Sequence, residues 1–214
     1  SWPRPDPAAA RNCCIAAAAD PAPAVVFEPV APKKAQPPSP KKSVDAAAFE
    51  QAWSAMTDTH DFFGLLNRFG LQRQGAFRLV EGRYSRQLPT TALRDMLLES
   101  AFDGLSIMCF VGSPGCIQIH SGPVKRVEPI EMQGKQWLNV LDPGFNLHLR
   151  EDRVAEVWVV EKPTADGVVT SVEAFDADGE LMAMFFGARK PGQPELQRWR
   201  EIVAGLRHSA VATA

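Results

Sequence analysis

The sequence predicts an α+β fold, and three features carry that prediction. Helical periodicity is confined to residues 45 to about 101 and to residues 194–206. Between them, from Leu105 to Phe186, the chain reads as short β-rich segments separated by Gly, Pro and Asp-Gly turns. No crossover helix interrupts those segments, so neighbouring strands are expected to pair in one antiparallel sheet, with helices packed before and after it.

The helices come first. Phe49, Trp53 and Met56 form one stripe of an opening helix. Thr57-Asp58-Thr59-His60 then starts a second, in which Phe62, Leu65, Leu66 and Phe69 recur at i, i+3, i+4 and i+7. Asp58 or Thr59 is expected to cap it, Asp61 suits its positive end, and Gly70 is a good stop. A short helix over about 72–80 has Ala76, Phe77 and Val80 inward, and another from Thr90 to about Ala101 buries Leu93, Met96 and Leu97. Strands follow at Ser106–Val111, Ile117–His120, Val124–Met132, Trp137–Leu141, Phe145–Arg150, Val154–Val160, Val168–Phe175 and Leu181–Phe186. Asp176-Ala177-Asp178-Gly179 is a hairpin signal between the last two. The closing helix, Pro194 to Leu206, carries Leu196, Trp199, Ile202, Val203 and Leu206 on one face, with Pro194 at its first turn.

Residues 1–44 differ in kind. They hold more than half of the prolines, alanine runs and a Pro-Lys stretch, a composition expected to stay disordered as a tail or linker, with Val25-Val26-Phe27 its one apolar spot. Residues 208–214 are expected to fray. The 214-residue chain has a net charge of -2 and a pI near 6.1, which argues against a nucleic-acid binder held by phosphate contacts. No apolar run is long enough to span a bilayer, and nothing at the start reads as a signal peptide. Cys13, Cys14, Cys109 and Cys116 show no CxxC or zinc spacing; Cys109 and Cys116 read as buried thiols, fitting a reducing cytoplasm. No HExxH, GxSxG, P-loop or GxGxxG occurs, so hydrolase, phosphoryl-transfer and dinucleotide readings lack support.

Among the four histidines, His60 stands apart: it leaves the apolar stripe, lies beside Phe63, and has Gly64 one turn below, where something flat can approach the backbone. An ordinary exposed helix-start histidine fits the same pattern. His120 and His148 are expected to face water on the polar sides of their strands, and His208 lies at the fraying end. Arg73, Lys162 and Arg189, flanked by Gly187 and Gly192, read either as solvated cations or as a set converging on carboxylates. A ligand with a metal and two carboxylates would satisfy His60 and these cations together, and haem is such a molecule.

Five blocks carry a resemblance. Trp53…Met56-Thr57-Asp58-Thr59-His60-Asp61-Phe62-Phe63, Gln118–Val124, Asn139–Arg150, Glu173–Gly179 and Phe185-Phe186-Gly187-Ala188-Arg189-Lys190-Pro191-Gly192 together resemble the HemS/ChuS/PhuS family of bacterial haem-utilisation proteins. The likeness covers residues 45–207. It implies a single HemS-like haem-binding domain matching the C-terminal half of a family built from two tandem halves. It implies His60 as the axial iron ligand, with Arg73, Lys162 and Arg189 toward the propionates and Phe186 beside the ring, where relatives often carry tyrosine. It further implies cytoplasmic haem binding and trafficking, with an inner-membrane haem importer as donor and a haem oxygenase as acceptor, and no membrane insertion. Oxidative haem degradation is the alternative, although the half that supplies a distal arginine in relatives has no counterpart here. A fragment, a truncated gene and a half-length homologue are equal expectations, and apolar surface left by an absent half would favour self-association. A DNA-binding or adaptor module, suggested by the paired helices around Gly70, lacks a basic recognition face.

Overall fold

The computed structural model describes residues 44–113, 115–190 and 192–206, so the expectations for residues 1–43, Cys13 and Cys14, Val25–Phe27 and His208 lie outside the described residues. Helices α1 (Ala46–Ser54), α2 (Asp61–Phe69) and α3 (Arg73–Leu79) come first, then β1 (Ser85–Leu88) and α4 (Ala92–Phe102). Strands β2 (Ser106–Gly112), β3 (Ile117–Pro123), β4 (Val127–Met132), β5 (Lys135–Asp142), β6 (Phe145–Arg150), β7 (Glu156–Thr164), β8 (Gly167–Phe175) and β9 (Leu181–Gly187) follow, and α5 (Gln197–Gly205) closes the fold. No described helix is long and apolar enough to cross a membrane.

The α+β class is as expected, but the strands form two sheets rather than one. Six pair in the order β1-β7-β8-β9-β2-β3, and β4-β5-β6 form a separate three-stranded sheet. Strand β1 was not legible in the sequence. Its Ser-Arg-Gln-Leu run has no apolar alternation, and its order comes from pairing with β7, Ser85 opposite Val160 and Leu88 opposite Val157. Pro194 also lies outside α5, which begins three residues later, at Gln197.

Two cores sit on opposite faces of the six-stranded sheet. On one face α1–α3 lay Phe49, Trp53, Phe62, Leu65, Leu66 and Phe77 on Trp158, Val160 and Phe175. Trp53 contacts the rings of Phe49, Phe62, Phe77 and Tyr84, each aromatic pair worth about 0.5–1.5 kcal/mol beyond area burial. Its indole N–H donates to Glu161 O at 3.0 Å, which spares the buried ring an unmade bond. On the other face α4, α5 and the small sheet enclose Ile107, Val157, Val159, Val172, Phe185 and Trp199. Helix α1 is capped by Asp45, whose side chain accepts from Ala47 and Ala48 N–H at 3.0 and 3.1 Å. Gly70 ends α2 in the left-handed region, φ 63°, the role its residue type predicted.

Candidate functional site

The start of α2 is tied down from two sides. Asp61, in the first turn, accepts the backbone N–H groups of Thr57 and Asp58 at 3.1 and 3.0 Å through one carboxylate oxygen. Thr57 O accepts the N–H of Ala165 at 2.8 Å, which pins the segment to the β7–β8 turn. Neither Asp58 nor Thr59 caps the helix as the sequence suggested; His60 itself is the terminal residue, at φ −72° and ψ −22°, with no side-chain cap. Asp58 instead turns to His60. Its Oδ1 accepts the His60 backbone N–H at 2.8 Å and meets the ring Nδ1 at 2.5 Å. An ionised carboxylate can only accept, so the ring donates from Nδ1, which in the neutral imidazole leaves the Nε2 lone pair for a ligand. These two contacts from His60, aided by the charge of Arg189, hold the Asp58 carboxyl below the usual carboxylate range. The imidazole is 93% exposed, and Phe63 beside it is 72% exposed. At Gly64, a side chain would meet nothing within 4 Å, so the helix surface under His60 is open.

The sheet face that α1–α3 cover at β7 and β8 continues uncovered across β9, β2 and β3. Register sets its rows. Glu173, Met184, Phe110 and Ile119 stand opposite one another, and so do Ser171, Phe186, Met108 and Ser121. Directly paired residues of antiparallel strands point to one face, so Met184, Phe186, Met108, Phe110 and Ile119 form a continuous apolar shelf. Phe110 and Phe186 pack edge to face at 5.3 Å, while Ile119 and Ile117 are 61% and 63% exposed. Of these, only Phe186 was singled out in the sequence. The others were hidden because a partly buried Met or Ile on a strand has no local mark; what makes a shelf is the alignment of three strands.

Cations bound this shelf. Arg189 follows β9, lies 3.9 Å from Asp166 of the β7–β8 turn, and is near enough to Asp58 to lower its pKa. Arg73, the first residue of α3, and Lys162 of β7 both meet one carboxylate, Glu173. Arg73 Nε donates to Glu173 Oε2 at 2.7 Å, and Lys162 Nζ donates to Oε1 at 2.9 Å, beside the Ser171 hydroxyl. Both cations lie over the Phe62 ring, at 5.1 and 4.9 Å. Arg73 Nη2 reaches Met184 Sδ at 3.4 Å, which links this cluster to the shelf. Glu173 is fully buried. Burial alone would raise its carboxyl, but Lys162 and Arg73 outweigh it and hold it at about 2. Burial likewise pulls the Lys162 ammonium below its ordinary value, and Glu173 opposes that pull. Lys162 is 3% exposed, so it can reach a ligand only by exchanging Glu173 for it.

Other expected residues fall elsewhere. His120 does not face water: it stacks on Phe145 at 3.8 Å, between the two sheets, with Nε2 buried and unpartnered. His148 is exposed and pairs with the Asn139 side chain at 2.7 Å. Cys109 is buried as expected, its thiol pushed up to about 12 by burial, but Cys116 is exposed because it ends the β2–β3 turn. No group of three His, Cys, Asp or Glu side chains that could hold a metal ion occurs among the described residues. Clefts of about 390 and 400 Å³ along α5 share none of these residues and mix charged with apolar side chains.

Several known proteins are similar to this chain. The hemin transport protein HmuS of Yersinia pestis is 42% identical over 190 residues, 89% of this chain and 53% of that protein. Among solved structures, holo-PhuS, a heme-binding protein from Pseudomonas aeruginosa, superposes with a TM-score of 0.76 at 46% identity, over 86% of this chain and 51% of that one. The heme degrading enzyme ChuS of Escherichia coli O157:H7 gives a TM-score of 0.72 at 46% identity, over 76% and 47%. The chain thus spans about half the length of these three relatives. Residues 70–206, more than half of the chain, match the model of the haemin-degrading HemS/ChuX domain, and with that match and this likeness the chain belongs to that family.

Proposed function

We propose that this chain binds haem at the corner between α2 and the apolar shelf and passes it on, acting as a cytoplasmic carrier in haem-iron uptake. His60 Nε2 would ligate the iron, Met108, Phe110, Met184 and Phe186 would line the ring, Arg73 and Arg189 would serve the propionates, and Lys162 would join them by exchanging Glu173 for one. The observation that carries this reading is one exposed imidazole, its metal-facing nitrogen free, at the rim of an open apolar sheet face edged by cations. An apolar disc with charged carboxylates at one edge matches that pattern: the disc is removed from water and the carboxylates gain charge-assisted hydrogen bonds. A carrier must also release its cargo, and a single protein ligand beside an open surface permits exchange. In this role an inner-membrane haem importer would be the donor and a haem oxygenase the acceptor.

The test is a haemin titration of the wild type beside His60→Ala, followed by absorption. Saturable one-to-one binding, with a Soret band that His60→Ala shifts and an affinity it lowers about tenfold or more, is the expected outcome. Equal spectra from the two proteins would remove His60 from the site. A second reading, haem degradation, is favoured by the family description and by the relative named a heme degrading enzyme. Loss of the Soret band with an added reductant and catalase present would select it over the carrier.

A further inference from the structure

We propose that Asp58 is the positioning residue of the iron ligand, holding the His60 imidazole in the orientation and tautomer that metal binding needs. The proposal rests on the haem reading above and goes beyond it by assigning a second residue. Its ground is the geometry of one oxygen. Asp58 Oδ1 accepts the His60 backbone N–H at 2.8 Å and contacts the ring Nδ1 at 2.5 Å, so main chain and side chain of the same residue are held by a single acceptor. Among the described residues this is the only hydrogen bond that the His60 side chain makes. An imidazole that is 93% exposed would otherwise sample several rotamers and both tautomers. The carboxylate removes both freedoms: it selects the Nδ1–H tautomer and points Nε2 away from the Asp58 turn.

Asp58 is itself held. Asp61 accepts its backbone N–H at 3.0 Å, Ala165 ties the preceding Thr57 to the β7–β8 turn, and Arg189 lies within electrostatic reach. A turn-forming aspartate needs only the backbone contact; the ring contact adds nothing to the turn. It does what carboxylates do behind metal-bound histidines, which is to orient the ring and raise its basicity toward the metal.

The experiment uses the full chain loaded with haemin and compares wild type, Asp58→Asn, Asp58→Ala and His60→Ala. Asparagine preserves the turn by accepting the same backbone N–H but lacks the charge, so it separates the two roles. The expected result is that both Asp58 variants keep the wild-type circular dichroism. The ferric/ferrous potential should rise from wild type to Asn to Ala, and the ferrous iron–histidine stretch should move to lower frequency in the same order. Haemin dissociation should speed up about tenfold in Asp58→Ala. A tenfold loss of ferric over ferrous preference corresponds to a 59 mV rise for this one-electron couple. Potentials and stretches equal to wild type, with binding still dependent on His60, would overturn the proposal and leave Asp58 a turn residue. Wild-type spectra from His60→Ala would overturn the ligand assignment and this proposal with it.

Discussion

Glu173 shows how a single buried carboxylate organises two cations that the sequence presents only as separate basic residues. With one carboxylate between Arg73 and Lys162, the cluster keeps a net positive charge next to the shelf while every buried charge has a partner. Removing the anion alone is costly. Glu173→Gln leaves Lys162 buried without a counter-charge and should destabilise the fold by about 3–5 kcal/mol, read by urea denaturation. The pH dependence has a definite sign. The Glu173 carboxyl is depressed from 4.5 to about 2 in the folded chain, so its stabilisation is fully present above pH 4.5 and is lost as pH falls from 4.5 toward 2. Denaturation midpoints taken across that window should fall in the wild type and fall less steeply in Glu173→Gln. Parallel pH profiles would mean that Glu173 is not ionised in the folded protein.

At the level of elements, β9 does most to build the site, since it supplies Met184 and Phe186 to the shelf and then leads directly to Arg189. Its alternate residues, Ala183 and Phe185, enter the opposite core. Gly187 explains the glycine of the Phe-Gly-x-Arg block. A Cβ there would lie 2.7 Å from Trp199 Cγ, so the absent side chain lets α5 lie flat on the end of β9. Gly187→Ala must therefore push α5 outward. A loss of about 1–3 kcal/mol is expected from such overpacking, with Trp199 fluorescence shifted toward that of a solvated indole. Unchanged stability would mean that α5 yields without cost. Helix α2 works by the opposite arrangement. Phe62, Leu65 and Leu66 fasten it to the core, which leaves His60, Phe63 and Gly64 on the free side.

For the whole molecule, the consequence is an apolar sheet face that no described helix covers. Met108, Phe110, Met184, Phe186, Ile117 and Ile119 lie on one sheet face, and such a surface favours either a ligand or another protein surface. If haem is the ligand, mass action stabilises the folded state. Haemin at 100 times its Kd should add about 2.7 kcal/mol, which for a domain of this size raises Tm by about 5–10 °C. Scanning calorimetry with and without haemin reads this directly. The His60→Ala protein at the same haemin concentration should show a smaller rise, and an equal rise would point to adsorption on the shelf without iron ligation. The ligand-free chain is also expected to self-associate through this face, reversed by haemin, as read by light scattering. A monodisperse monomer without haemin would count against that.

The α+β class, the five helices, most strand positions and the stop at Gly70 were all legible in the sequence, because periodicity and turn chemistry are local properties. His60 was singled out there too, as a histidine off an apolar stripe above a glycine, and the structure leaves it exposed at the start of α2. What the sequence could not decide are properties of residues distant along the chain. It could not divide the strands into two sheets, since that depends on which edges pair. It did not reveal β1, whose order is borrowed from β7. It misjudged His120, because only the tertiary structure brings Phe145 against its ring, and Cys116, because only the turn shows its exposure. Above all, Arg73, Lys162 and Glu173 are 100 and 11 residues apart in their two pairings, and no spacing rule joins them. Burial makes that ion cluster, and the alignment of β9, β2 and β3 makes the shelf. Local chemistry singled out His60 as the candidate ligand, and long-range packing built the surface beside it.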